Sequence, residues 1–76
     1  MREKILEILA DIRPDIDFET EDKLVDGGVL ASFDIVSIVT ELSDEFDVSI
    51  GPKDLVAANF NSLDALVELV KKLQDE

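Results

Sequence analysis

Cysteine, histidine, tryptophan and tyrosine are all missing from this chain, and the first two absences each remove a class of chemistry. Without cysteine there is no disulfide framework, no thiolate nucleophile and no protein thiol on which to carry a thioester. Without histidine a Ser-His-Asp hydrolase cannot be assembled, and zinc loses both of its preferred ligand types. Cations are scarce as well: 7 Lys and Arg stand against 19 Asp and Glu, for a formal net charge of −12. Such a surface repels nucleic-acid phosphates and anionic bilayers and attracts basic protein surfaces, so neither nucleic acid nor membrane is expected as a partner. No apolar run reaches the roughly eighteen residues that a membrane span needs. Met1 leads directly into a mixed-charge helical pattern without the apolar core of a signal peptide, which makes a cytoplasmic location the expectation.

What remains is a chain of 76 residues with 46% hydrophobic but only 5% aromatic content, so its core is expected to consist of Leu, Ile and Val with four Phe. That composition is globular, and the length suits a single domain over residues 1–76. A domain this small hides only about 60% of its unfolded surface, which leaves little stability for a deep enzyme pocket. Function is therefore expected on the surface or attached to it, and any covalent chemistry must draw its reactive groups from a cofactor or a partner enzyme.

Ile5, Ile8, Leu9 and Ile12 recur at the spacing of one helix face, and Pro14 disfavours continuation past Arg13. From Pro14 to Ala31 the periodicity lapses into an acid-rich stretch that closes on Gly27-Gly28, with Phe18, Leu24, Val25 and Leu30 expected to pin it to the core. Loops longer than about 12–15 residues are uncommon in compact domains and tend to be functional. This one delivers Ser32. Ile35, Val39, Leu42 and Phe46 then hold helical spacing, which makes Ser32 the expected N-cap of a second helix with Asp34 in its first turn. Gly51-Pro52 predicts a short third helix through Lys53, Asp54, Leu55 and Val56. Leu63, Leu66, Val67, Val70 and Leu73 predict a final amphipathic helix capped by Ser62. The fold class is all-α: a four-helix bundle with three longer helices, one short helix and a long first loop.

An exposed serine at a helix N-terminus suits a phosphodiester, because unsatisfied N–H groups and the positive end of the helix dipole favour an anion. Taken alone, such a serine is usually a plain cap. The surrounding string is more specific: Asp26-Gly27-Gly28-Val29-Leu30-Ala31-Ser32-Phe33-Asp34-Ile35-Val36, followed by Glu41-Leu42 and Glu45-Phe46-Asp47-Val48-Ser49-Ile50. It resembles the phosphopantetheine-attachment region of acyl carrier proteins, and the likeness of helix order and of Phe60-Asn61-Ser62 extends over essentially the whole chain. The resemblance implies an acyl-carrier-protein-like bundle in which Ser32 accepts a covalent 4′-phosphopantetheine arm from coenzyme A, within a separate phosphopantetheinyl transferase. The arm's thiol would then carry acyl or aminoacyl intermediates as thioesters. Fatty acid, polyketide and aminoacyl pathways all use free carriers of this kind. Leu30-Ala31-Ser32 is also similar to D-alanyl carrier proteins. The chain departs from the family at two places: Ala31 stands where Asp usually precedes the serine, and Phe33 where Leu often follows it.

The same resemblance implies that Phe33, Asp34, Glu41, Asp44 and Glu45 meet acyl-activating or acyl-transferring enzymes through basic docking surfaces. The spacing of the four acids can place them on or near one outward stripe, opposite Ile35, Val39 and Leu42. Val36, Val39, Leu42, Leu55 and Leu66 are expected to line or border the core and to shelter cargo there. An alternative is an unmodified acidic protein-interaction module that retains the carrier fold. Asp15, Asp17 and Glu19 alternate like the first ligands of a calcium loop, but Thr20 occupies the position that needs Gly and Asp26 the position that wants Glu, so no metal site is expected.

Overall fold

The computed structural model describes residues 1–75 and consists of helices and turns, with no strand among the described residues. The helices are α1 (Arg2–Ile12), α2 (Ser32–Phe46), α3 (Ala57–Phe60) and α4 (Leu63–Gln74), and a single 3-10 turn, Pro52–Asp54, precedes α3. α1 packs on α2 and α4, and α4 also packs on α3. This is the expected bundle of three longer helices and one short one.

The core follows the helical spacing read from the sequence. Ile5 and Leu9 of α1 meet Ile38 and Leu42 of α2 and Leu63, Leu66 and Val70 of α4 in one buried cluster. Phe18, Leu24 and Leu30 pin the long connection to that cluster as expected, and Val25 packs at its edge. At the helix centre, the apolar face of α2 is built on Ile38, which is fully buried, whereas Ile35 and Val39 flank it half-buried. Val36 and Leu55 do not line the core: they are 63% and 49% exposed. Val36 lies three residues after Phe33 and two before Ile38, which puts it on the face opposite the buried stripe.

The third helix begins later than the sequence suggests. Pro52–Asp54 forms a 3-10 turn, Leu55 leaves helical geometry at φ −84° and ψ 62°, and the α-helical turn is Ala57–Phe60. The Asp54 carboxylate accepts a hydrogen bond from the Gly51 N–H at 3.2 Å, and closing that turn ends it early. Ser62 caps α4 as expected, its Oγ accepting from the Ala65 N–H at 3.1 Å.

The long connection is held by side chains whose role the sequence pattern does not announce. Asn61 Oδ1 accepts from the N–H groups of both Val25 and Asp26 at 3.0 Å, and its Nδ2 donates to Asp26 Oδ2 at 3.0 Å. The Leu24 N–H donates to the Asn61 carbonyl at 2.9 Å, and the Leu30 N–H returns to the Leu24 carbonyl at 2.8 Å. Residues 24–30 are thus a closed loop fastened to the start of α4. Its tip needs glycine: a Cβ on Gly27 would lie 2.6 Å from the Lys23 carbonyl oxygen, and Gly28 sits at φ +72°.

Candidate functional site

The closed loop ends at Leu30, and the next two residues set the site. Ala31 is extended (φ −90°, ψ 168°) and occupies the N-cap position, so Ser32 is the first residue of α2 and not its cap. Alanine has no oxygen with which to cap. The first intrahelical bond of α2 runs from the Ile35 N–H to the Ala31 carbonyl at 3.1 Å, which leaves the Ser32, Phe33 and Asp34 amides without a helical acceptor. The Ser32 side chain is exposed and engaged in no cap. Its hydroxyl and the neighbouring free amides therefore share one solvent-facing helix N-terminus, an arrangement suited to an esterified phosphate.

Asp34 is placed quite differently from expectation. It is 7% exposed and faces inward, so it is no part of an outward acidic stripe. Asp34 Oδ2 accepts from the Ala31 N–H at 3.0 Å and from Arg13 Nη1 at 2.6 Å. Arg13 is the C-cap residue of α1, and its Nε and Nη2 also grip Asp15 through both carboxylate oxygens at 3.0 and 2.9 Å. The Ala31 N–H and then the Arg13 guanidinium, acting against partial burial, hold the Asp34 carboxyl below the usual range. Arg13 does the same for Asp15, and the two carboxylates push the guanidinium's own pKa up.

The remaining acids of α2 are exposed but do not share a single stripe with one another. Glu41 and Glu45 lie one turn apart on the edge toward α1, where Glu45 comes within 4.0 Å of Lys4. Asp44 belongs instead to the outward stripe Phe33, Val36, Thr40 and Asp44. At the Ser32 end that stripe is apolar: Phe33 is 79% exposed and Val36 63%. Beyond Ile35, the half-exposed Leu55 and Val56 border a cleft of about 70 Å³ that reaches Val25 and Phe60. A larger concavity of about 540 Å³ lies beside Met1, Arg2 and α4, at the end of α1 remote from Arg13, and has no part in the Ser32 site.

Among the described residues no group of three or more acidic side chains is arranged to hold a metal ion, and none of the helices is long and apolar enough to cross a membrane. In the calcium-like stretch, Asp15 is taken by Arg13, and Asp17 accepts the Glu19 N–H at 3.3 Å.

Sequence reasoning missed Arg13 as part of the site and Asn61 as the clamp of its loop. A signal existed for the first: Arg13 is the single base between Lys4 and Lys23 in a stretch crowded with acids, at the C-terminus of a helix. Asn61 is visible only within Phe60-Asn61-Ser62, where local sequence does not reveal a partner in a distant loop.

A helical bundle whose long first loop delivers an exposed serine to the start of α2 has the layout that the resemblance to carrier domains implies. No family model matches the chain. Over 77 aligned positions, however, it is 30% identical to two curated carrier proteins, the alignment covering 100% of this chain and 96% of each relative. The chain belongs to the acyl carrier protein family. Both relatives are named D-alanyl carrier protein, and they come from two strains of Lactobacillus delbrueckii subsp. bulgaricus.

Proposed function

We propose that this carrier protein is modified on Ser32 by 4′-phosphopantetheine and bears a small aminoacyl group, of the kind named in its D-alanyl carrier relatives, in preference to a long fatty acyl chain. The observation that carries the attachment reading is the released serine: Ser32 is exposed at the first position of α2, while the cap position beside it is filled by Ala31. During attachment the Ser32 hydroxyl attacks the pantetheine-side phosphorus of coenzyme A, the pyrophosphate P–O bond breaks, adenosine 3′,5′-bisphosphate leaves, and the serine proton passes to a base of the transferase, since this chain has no histidine. The phosphodiester then lies against the unpaired amides at the start of α2. Once bound, the arm supplies the thiol that the chain lacks.

Two observations favour small cargo. The D-alanyl carrier name of the relatives is one, and the size of the apolar cleft is the other. At about 70 Å³ it is roughly half the ~150 Å³ of an apolar cavity that takes a benzene, too small for a long acyl chain. Partner enzymes are proposed to dock over Ser32, Phe33 and Val36, with Glu41, Asp44 and Glu45 offering charge to basic residues at the rim. The chain itself performs no catalysis in this scheme and acts as a monomer in the cytoplasm.

The test is to load the protein with coenzyme A and a broad-specificity phosphopantetheinyl transferase, then offer the holo-protein D-alanine or fatty acid with the matching activating enzyme and ATP. Gain of the arm followed by D-alanyl thioester alone is the expected result. Fatty acylation alone contradicts the cargo assignment. The replacement of the family's usual Asp by Ala31 favours a second reading, an unmodified interaction module that binds partners through the Phe33 and Val36 face. Failure of several transferases to act, while a conventional carrier is modified in parallel, selects that reading.

A further inference from the structure

Three features converge on the peptide that precedes Ser32. The cap position holds a residue with no capping oxygen, Ala31, and its own N–H donates to Asp34 Oδ2 at 3.0 Å. That oxygen is shared with Arg13 Nη1 at 2.6 Å, and Asp34 is buried. Arg13 in turn is locked from the other side, because Asp15 takes its Nε and Nη2 together in a two-point grip across Pro14. Pro14 has a fixed φ, so the Arg13–Asp15 fork is short and stiff.

The chain has only 7 bases, and at this place a single one serves two carboxylates. The consequence is mechanical. The end of α1 is fastened to the first turn of α2 across the connection of residues 14–31, at the peptide from which Ser32 projects. A surface ion pair is worth little, but a charged bond to a buried carboxylate that also carries a backbone N–H fixes an orientation.

The geometry points to Arg13 and Asp34 as positioning residues: they hold the Ala31–Ser32 peptide in the orientation in which the serine hydroxyl meets its transferase. This rests on the reading of Ser32 as the attachment residue. It also reassigns Asp34, which acts from inside the fold and does not touch the docking enzyme. The docking face is Phe33 and Val36, which neither substitution at Arg13 nor substitution at Asp34 removes.

The two roles separate in the kinetics of loading. In a transferase assay with coenzyme A, read by intact mass, Arg13→Gln and Asp34→Asn should each lower kcat by roughly tenfold to a hundredfold with KM nearly unchanged, the scale expected when a reacting group is misplaced by about an ångström. Arg13→Lys, which keeps the charge but not the two-sided grip, should recover only part of the loss. Hydrogen exchange of the Ala31 amide gives a second readout that needs no loading: it should quicken at least tenfold in Asp34→Ala while the Leu42 amide keeps its protection.

Wild-type kcat in Arg13→Gln overturns the proposal, and so does a rise in KM alone for Asp34→Asn, which would return Asp34 to direct contact with the partner. Unchanged Ala31 exchange in Asp34→Ala overturns it as well. A wild-type chain that accepts no arm, with its Ala31 amide still protected by Asp34, overturns the attachment reading and leaves the Arg13–Asp34 contact a purely structural one.

Discussion

Ser32 and Ser62 stand at the starts of two amphipathic helices, and the structure uses them in opposite ways. Ser62 occupies the cap position of α4, half-buried, with its Oγ bonded to the Ala65 N–H. Ser32 stands one place further in, at the first residue of α2, exposed and without a cap bond. At α4 the serine itself satisfies the helix. At α2 no side chain caps the helix amides, and Asp34 instead reaches back to the Ala31 N–H and outward to Arg13. A shift of one residue therefore separates a hydroxyl spent on structure from one left exposed and uncommitted.

The strongest way to disturb this contrast is through the residue that serves both regions. Asn61 precedes the Ser62 cap and also fastens the loop leading to Ser32, so Asn61→Ala should destabilise the protein by about 2 kcal/mol, given several side-chain hydrogen bonds worth roughly 1 kcal/mol each with partial recovery by water. Urea unfolding measures it, and a loss below about 0.5 kcal/mol would mean that the loop does not depend on the clamp. Ser62→Ala comes next, at about 1 kcal/mol, the usual worth of a cap, with the melting temperature falling by roughly 4–8 °C and Ser32 still modified.

Ala31→Ser should act in the other direction. It supplies the missing cap oxygen beside Asp34 and should add up to about 1 kcal/mol, because Ala31 already has the extended backbone of a cap residue. No gain in melting temperature would indicate that the α2 amides are already satisfied, and would weaken the contrast with α4.

The smallest effect is seen only with pH. Asp15 and Asp34 are both held below the ordinary 3.8 by Arg13 and, for Asp34, by the Ala31 N–H. Carboxylates with depressed folded-state pKa values contribute stability that is complete above their unfolded value and fades as pH falls through the folded one. The stability gap between wild type and Arg13→Gln should therefore be constant from neutrality down to about pH 5 and close below the unfolded value. A gap that widens on acidification would contradict the assigned pairing.

Much of this arrangement was legible in the sequence because it depends on local periodicity. Ile5, Leu9, Leu42, Leu66 and Val70 announce the buried faces of α1, α2 and α4, and Ser62 is followed at once by an amphipathic run. The serine that ends the long loop was legible too. The errors came where one residue of register or a distant partner decides the outcome. Ser32 was expected as a cap because serine is favoured there, but the chain turns at Ala31. Asp34 was expected outside because its spacing with Glu41, Asp44 and Glu45 can place the four on or near one outward stripe, but Arg13 of another element draws it in. Glu41, Asp44 and Glu45 are all exposed as expected, yet Glu45 approaches Lys4 of α1 while Asp44 lies on the outward stripe, and Val36 is turned out where Ile38 is turned in. The third helix moved because Asp54 closes a tighter turn on Gly51 than the periodicity of Leu55 and Val56 suggests.

The most direct test of the account compares the two serines in one experiment: wild type, Ser32→Ala and Ser62→Ala are incubated with coenzyme A and a broad-specificity phosphopantetheinyl transferase, then weighed intact and melted. The account predicts one added phosphopantetheine on wild type and Ser62→Ala and none on Ser32→Ala, while Ser32→Ala melts like wild type and Ser62→Ala melts lower. An arm retained by Ser32→Ala, or a melting loss in Ser32→Ala as large as that in Ser62→Ala, would contradict the division of labour between the two helix starts.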